Sequence, residues 1–164
     1  MANSTSSSFT RWLVLIGLTV VIVGLGGLVG AVTGTGDSLW YQALEKPFFN
    51  PPGYVFGIVW PILYTLMAIA TWLIWQAPAT PQRQRALTLF GVQLAFNYAW
   101  PFMFSVFEMI GVAAVWILAL VVILFMTVRA YAKIIPITGW MLAPYLAWST
   151  FAFVLNASIF YLNA

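Results

Sequence analysis

The stretch EKPFFNPPGYVFGIVWPILY, Glu45 to Tyr64, changes character halfway. Its first half sets an acid–base pair and the prolines Pro47, Pro51 and Pro52 close together. A helix interior does not tolerate that density, because proline lacks the N–H and clashes with the preceding turn. Its second half opens a Trp-rich apolar run that continues to about residue 76. About 20 such residues cross a bilayer core. Lipid-exposed backbone must satisfy its hydrogen bonds within its own segment, so the run is a transmembrane helix at about 54–76.

Working outward, similar apolar runs fall at about 12–32, 86–106, 110–132 and 139–162. Hydrophobic residues are 63% of the 164 and charged residues only 5%, against about half and about a quarter in soluble domains. The chain reads as an all-α membrane protein, a bundle of five transmembrane helices. A polar lead (1–11) precedes a single domain (12–164), and a long loop (33–53) follows the first span. The apolar run after MANSTSSSFTR exceeds the h-region of a secretory signal, about 7–15 residues, so a retained first span is predicted.

Composition also excludes. The chain has no cysteine and no histidine, which removes disulfides, thiolate chemistry, the commonest general base and the usual haem-iron ligand. No metal site and no cofactor are predicted. The net charge of +3 is carried by scattered basic residues, so nucleic acid is not a partner. Asp37, Glu45 and Glu108 are the only acids, and none lies mid-span, as a proton-coupled pump would require. Arg11, Arg83, Arg85, Arg129 and Lys133 fall on one side of a five-span topology and Lys46 on the other. The positive-inside rule then puts the N-terminus in the cytoplasm, with the 33–53 loop and the C-terminus outside.

With no charges inside, the interior chemistry rests on amides, hydroxyls and rings. The third span aligns Gln93, Asn97, Trp100 and Phe104 on one face. The fifth aligns Trp148, Ala152, Leu155 and Asn156, with Tyr145 just before them, and the small Ala152 leaves room for something flat. The second contributes Trp60, Tyr64 and Met67. Any one stripe serves equally well as helix packing or an interfacial belt; three that each mix Trp with a polar or small residue favour a pocket. Two small-residue pairs, Gly26/Gly30 and Gly91/Ala95, are candidate close-packing faces. A homodimer through Gly91 of the third span is predicted, with Gly26/Gly30 as the competing site.

These residues resemble the TspO/MBR family of tryptophan-rich sensory proteins, translocator proteins and peripheral-type benzodiazepine receptors. The matching pieces are WYxxLxKP (40–47), FNPP (49–52), VFGxVWxxLY (55–64), QLAFNYAWP (93–101) and PYLAW…AxVLN (144–156). The resemblance implies a five-helix bundle, usually dimeric, that binds porphyrins, sterols and isoquinoline- or benzodiazepine-type drugs. It implies a pocket beneath the loop after the first span, which folds over it as a lid. On that reading the prolines stiffen the lid, while Trp40, Tyr41, Phe48 and Phe49 lay flat surface over the cavity. The site residues carried over are Trp60, Tyr64, Asn97, Trp100, Trp148, Ala152, Leu155 and Asn156, with Phe49 and Pro51 from the lid.

Two departures qualify the match. The family often has Trp where this chain has Phe49. The sterol-recognition pattern lacks its basic residue, since none follows Tyr161. The expected function is a membrane receptor or carrier for porphyrins, haem-like tetrapyrroles and other flat hydrophobic molecules, with sterol or other lipids as further partners. The alternatives are light-dependent porphyrin breakdown, which would use Trp60 and Trp148, and a ligand-responsive sensory protein. A bacterial or archaeal cell membrane is the expected location.

Overall fold

The computed structural model describes residues 8–34 and 38–164; Asp37 and most of the polar lead fall outside them. The described chain contains six α-helices: α1 (Ser8–Thr33), α2 (Leu39–Ala43), α3 (Gly53–Gln76), α4 (Pro81–Pro101), α5 (Ile110–Ala132) and α6 (Pro136–Leu162). A π-helical turn, Phe102–Val106, extends α4. The expected five helices are thus corrected to six. The extra one, α2, sits in the 33–53 loop, where the Ser38 hydroxyl caps the free Tyr41 N–H at 3.1 Å.

Helices α1, α3, α5 and α6 are long and apolar enough to cross a membrane. The fifth long helix, α4, is not, and its sequence explains why. Thr80 caps its first turn by accepting from the Arg83 N–H at 3.2 Å, and Pro81 takes the first position, where its missing donor costs nothing. The helix therefore starts at PQRQR, earlier than the expected residue 86. By the same logic Pro136 starts α6 ahead of the expected residue 139. At the other end of the bundle α1 stops at Gly34, whose φ of 54° suits a residue without Cβ.

Gln93 and Asn97, midway along α4, are buried, because α4 is the hub. The Tyr98 hydroxyl donates to the Ile22 carbonyl of α1 at 2.7 Å, and Tyr64 of α3 donates to Asn97 Oδ1 at 2.9 Å. The Trp116 indole of α5 donates to the Phe96 carbonyl at 2.9 Å. From α6 the Tyr145 hydroxyl donates to Gln93 Oε1 at 2.9 Å, while the Trp100 indole donates to Asn156 Oδ1 at 3.1 Å. Every other long helix is hydrogen-bonded to this one. Such bonds contribute about 0.6–2 kcal/mol each between membrane helices.

The two ends of the bundle differ. Towards the α3–α4 turn, Met67, Ile74, Phe90, Leu124, Tyr131 and Leu142 pack a solid core. Trp12 stacks on Trp72 there at 6.0 Å, and the Trp72 indole donates to the Arg11 carbonyl at 2.9 Å. Towards the lid the helices enclose a cavity instead.

Gly26 is buried, and a Cβ on it would run into the Tyr64 ring. Its role is to bring α1 against α3 within one chain, so Gly26 is taken up inside the bundle, whereas Gly30 is exposed. Gly91 and Ala95 are exposed, with nothing near a Gly91 Cβ.

Candidate functional site: a lidded cavity between the helices

The cavity has a volume of about 570 Å3. Helix α3 presents Phe56, Trp60 and Tyr64 to it, one per turn, and α4 supplies Asn97 and Trp100. Residues Ala152, Leu155, Asn156 and Ile159 of α6 form the opposite wall. The π turn after Pro101 swings Phe104 into the wall, where it stacks on Trp100 at 5.2 Å. Helix α1 contributes Val23 and Val29, while Gly26, Gly27 and Gly30 between and beside them leave the space that side chains would fill.

The rings are held rather than loose. Trp60 stacks on Tyr64 at 5.2 Å and meets Tyr145 edge-on at 6.2 Å. Asn97 accepts from Tyr64, while Asn156 accepts from Trp100 and donates Nδ2 to the Ile110 carbonyl at 2.9 Å. The wall therefore offers flat π surfaces and two amides fixed in orientation, with no charged side chain. That suits a flat apolar ligand with few polar groups, and the volume lies in the usual range for small-molecule sites, about 300–1,000 Å3.

The lid closes from above through Tyr41, Asn50, Pro51 and Pro52. The Tyr41 hydroxyl donates to Asn50 Oδ1 at 3.1 Å, and Lys46 Nζ lies 4.8 Å from the Tyr41 ring centre. Burial raises the Tyr41 phenol above its ordinary value, so it is a neutral donor at physiological pH. A reciprocal pair latches the lid to the end of α6. The Glu45 N–H donates to Asn163 Oδ1 at 3.0 Å, and Asn163 Nδ2 donates back to the Glu45 carbonyl at 2.9 Å.

Of the residues expected at the site, Pro51, Trp60, Tyr64, Asn97, Trp100, Ala152, Leu155 and Asn156 line the cavity. Four stand behind it. Trp40 packs edge-on against Phe104 at 5.6 Å, and Phe49 against Phe151 at 6.3 Å. Tyr145 is fully buried beside Gln93. Trp148 packs between Phe56 at 5.6 Å and Phe151 at 5.4 Å. Phe48, expected over the cavity, is instead 100% exposed. Sequence reasoning missed the glycine wall of α1 and the Asn163 latch. The run GLGG followed by Gly30 was legible, but only as a packing signal.

The chain matches the TspO/MBR family model over residues 16–162. It is 35% identical over 148 residues to the translocator protein of Homo sapiens, covering 88% of this chain and 87% of that one. It is 33% identical over 147 residues to the tryptophan-rich protein TspO of Archaeoglobus fulgidus, covering 90% and 94%. The tryptophan-rich sensory protein of Cereibacter sphaeroides matches at 33% over 138 residues, covering 82% and 85%. With its apolar helices and with this match across nearly its whole length, the chain is a multi-pass membrane protein that belongs to the TspO/MBR family.

Proposed function

We propose that this protein is a membrane receptor or carrier that takes up porphyrins and other flat hydrophobic molecules in the cavity beneath its lid. The observation that carries the reading is the wall itself, in which Trp60, Tyr64 and Trp100 present ring faces and Asn97 an amide. Protoporphyrin added to the purified protein is expected to quench tryptophan fluorescence saturably, and Trp60→Ala to weaken that binding at least tenfold. An unsaturable signal, equal in both proteins, would mean partition into detergent or lipid.

Photochemical breakdown is the second reading. Trp60 stands in the wall, where an excited ligand could exchange an electron with it. Loss of protoporphyrin absorbance in light but not in the dark, and only with Trp60 present, would favour it.

The lid latch bears on exchange. Asn163→Ala removes both bonds to Glu45 at an exposed site. Protoporphyrin dissociation is expected to quicken about fivefold, the equivalent of about 1 kcal/mol. The ligand-free melting temperature should hardly move. Equal losses in both would make the loop a structural element rather than a lid.

In the proposed topology all five long helices cross the membrane, α4 with Gln93 and Asn97 turned towards its neighbours and Gly91 and Ala95 on its open face. Arg11, Arg83, Arg85, Arg129 and Lys133 lie at the cytoplasmic end, and the lid with the end of α6 lies outside. A bacterial or archaeal cell membrane fits this arrangement. The protein is proposed to be a homodimer through the exposed Gly91/Ala95 face of α4. Gly91→Leu is expected to shift the species seen by native mass spectrometry towards monomer, whereas an unchanged dimer would place the interface elsewhere.

A further inference from the structure

Beside the cavity lies a second void of about 20 Å3, which shares Phe56, Trp60, Asn97, Trp100 and Ala152 with it and is bounded on the α5 side by Ile117 and Leu120. A space of that size holds one water-sized sphere. Trp148 and Ser149 of α6 both line it; Trp148 Nε1 has no hydrogen-bond partner, and Ser149 Oγ has none at full hydrogen-bond distance, with the Tyr145 hydroxyl near it. Ser149 is only 1% exposed. Its neighbours Thr150 and Ser158 bond back to the carbonyl one turn earlier, each at 2.8 Å, as hydroxyls in membrane helices usually do. Ser149 makes no such bond. Unpaired donors are costly in a dry interior, and the two residues that carry them border the same void.

We infer that this void is a hydrogen-bonding subsite for one neutral acceptor oxygen. An indole N–H only donates, and the Ser149 hydroxyl can donate alongside it, so the occupant must accept. That excludes ammonium groups and metal cations. Without ligand the occupant is a water molecule; with ligand it is a carbonyl oxygen reaching past the single methyl of Ala152. The cavity then selects among flat molecules for those with a carbonyl on one edge. The ligand half of this inference rests on the cavity being a ligand site, as proposed above. The water half does not.

The test uses the full chain in lipid nanodiscs with 15N-labelled tryptophan, Trp148→Phe identifying the Trp148 indole signal. A cross-peak to long-lived water is expected at that indole in the ligand-free protein. Ser149→Val fills the void with methyl groups and should abolish it. No water contact in the wild type, or one that survives Ser149→Val, overturns the subsite whatever the cavity binds. The ligand arm compares anthraquinone with anthracene, equal in shape but differing in carbonyls. Anthraquinone is expected to displace the water and to bind about tenfold tighter than anthracene. Trp148→Phe should erase that preference while anthracene affinity, and with it the fold, is kept. Equal binding of the two probes in the wild type overturns the ligand half. If neither probe nor protoporphyrin binds, the cavity reading itself falls, and the water cross-peak still decides the void.

Discussion

Replacing Ala152 by threonine or valine is expected to weaken binding of protoporphyrin and of isoquinoline-type ligands tenfold or more. Ala152 is 8% exposed and lines the cavity one helical turn from both Trp148 and Asn156. A branched side chain there must either project into the space a flat ligand needs or push back on helix α5. Extra methyl groups in a packed site cost about 1–3 kcal/mol, and about 1.4 kcal/mol is already tenfold in affinity. The hub bonds of α4 do not involve Ala152, so folding should survive. Titration of tryptophan fluorescence beside a melting curve separates the two effects. Matching affinities would mean that this face of α6 only packs against its neighbours.

Gly26→Ala should damage both the fold and the cavity. A Cβ at Gly26 would stand 2.7 Å from Tyr64 Cδ2, and that ring cannot swing aside. It is stacked on Trp60 at 5.2 Å, lies 5.8 Å from the Tyr98 ring and holds Asn97 through its hydroxyl. Relieving the clash means moving α1 off α3 or breaking the Tyr64–Asn97 bond. The expected cost is about 1–3 kcal/mol of stability, with ligand affinity lowered because Tyr64 and Asn97 both line the cavity. Gly27→Ala and Gly30→Ala serve as controls, since a Cβ on either meets nothing within 4 Å. A Gly26→Ala protein that melts with its controls would refute the close approach.

What the sequence revealed follows from the kind of signal each part carries. Helical spacing placed Trp60 with Tyr64, Asn97 with Trp100, and Ala152 with Asn156, and all of these meet at the cavity. Spacing resolves a face no more finely than about a third of a turn, which is why Trp148 and Tyr145 were grouped with the wall although they stand behind it. Hydropathy found α4 although its polar side chains depress the apolar signal, because those amides are spaced to face inward. The glycines of α1 escaped because a cavity wall made of missing side chains leaves no residue to point at. The Asn163 latch joins residues 118 positions apart, and no local pattern announces such a pair. The π turn at Phe102–Val106, between Pro101 and Glu108 with its φ of 55°, likewise has no periodic signal in the sequence.

The uncharged wall of the cavity has an electrical consequence. A full charge carried across the membrane potential exchanges about 2.3 kcal/mol per 100 mV. None of the side chains lining the cavity carries a charge, and Glu45 and Lys46 belong to the lid rather than to a helix. Filling or emptying the site with a neutral molecule therefore moves no charge through the field. Polarising the bilayer should leave the affinity for such a molecule unchanged, and any voltage dependence must come from ionised groups on the ligand. A carrier built on this cavity equilibrates a neutral cargo down its concentration gradient and cannot draw on the membrane potential to concentrate it.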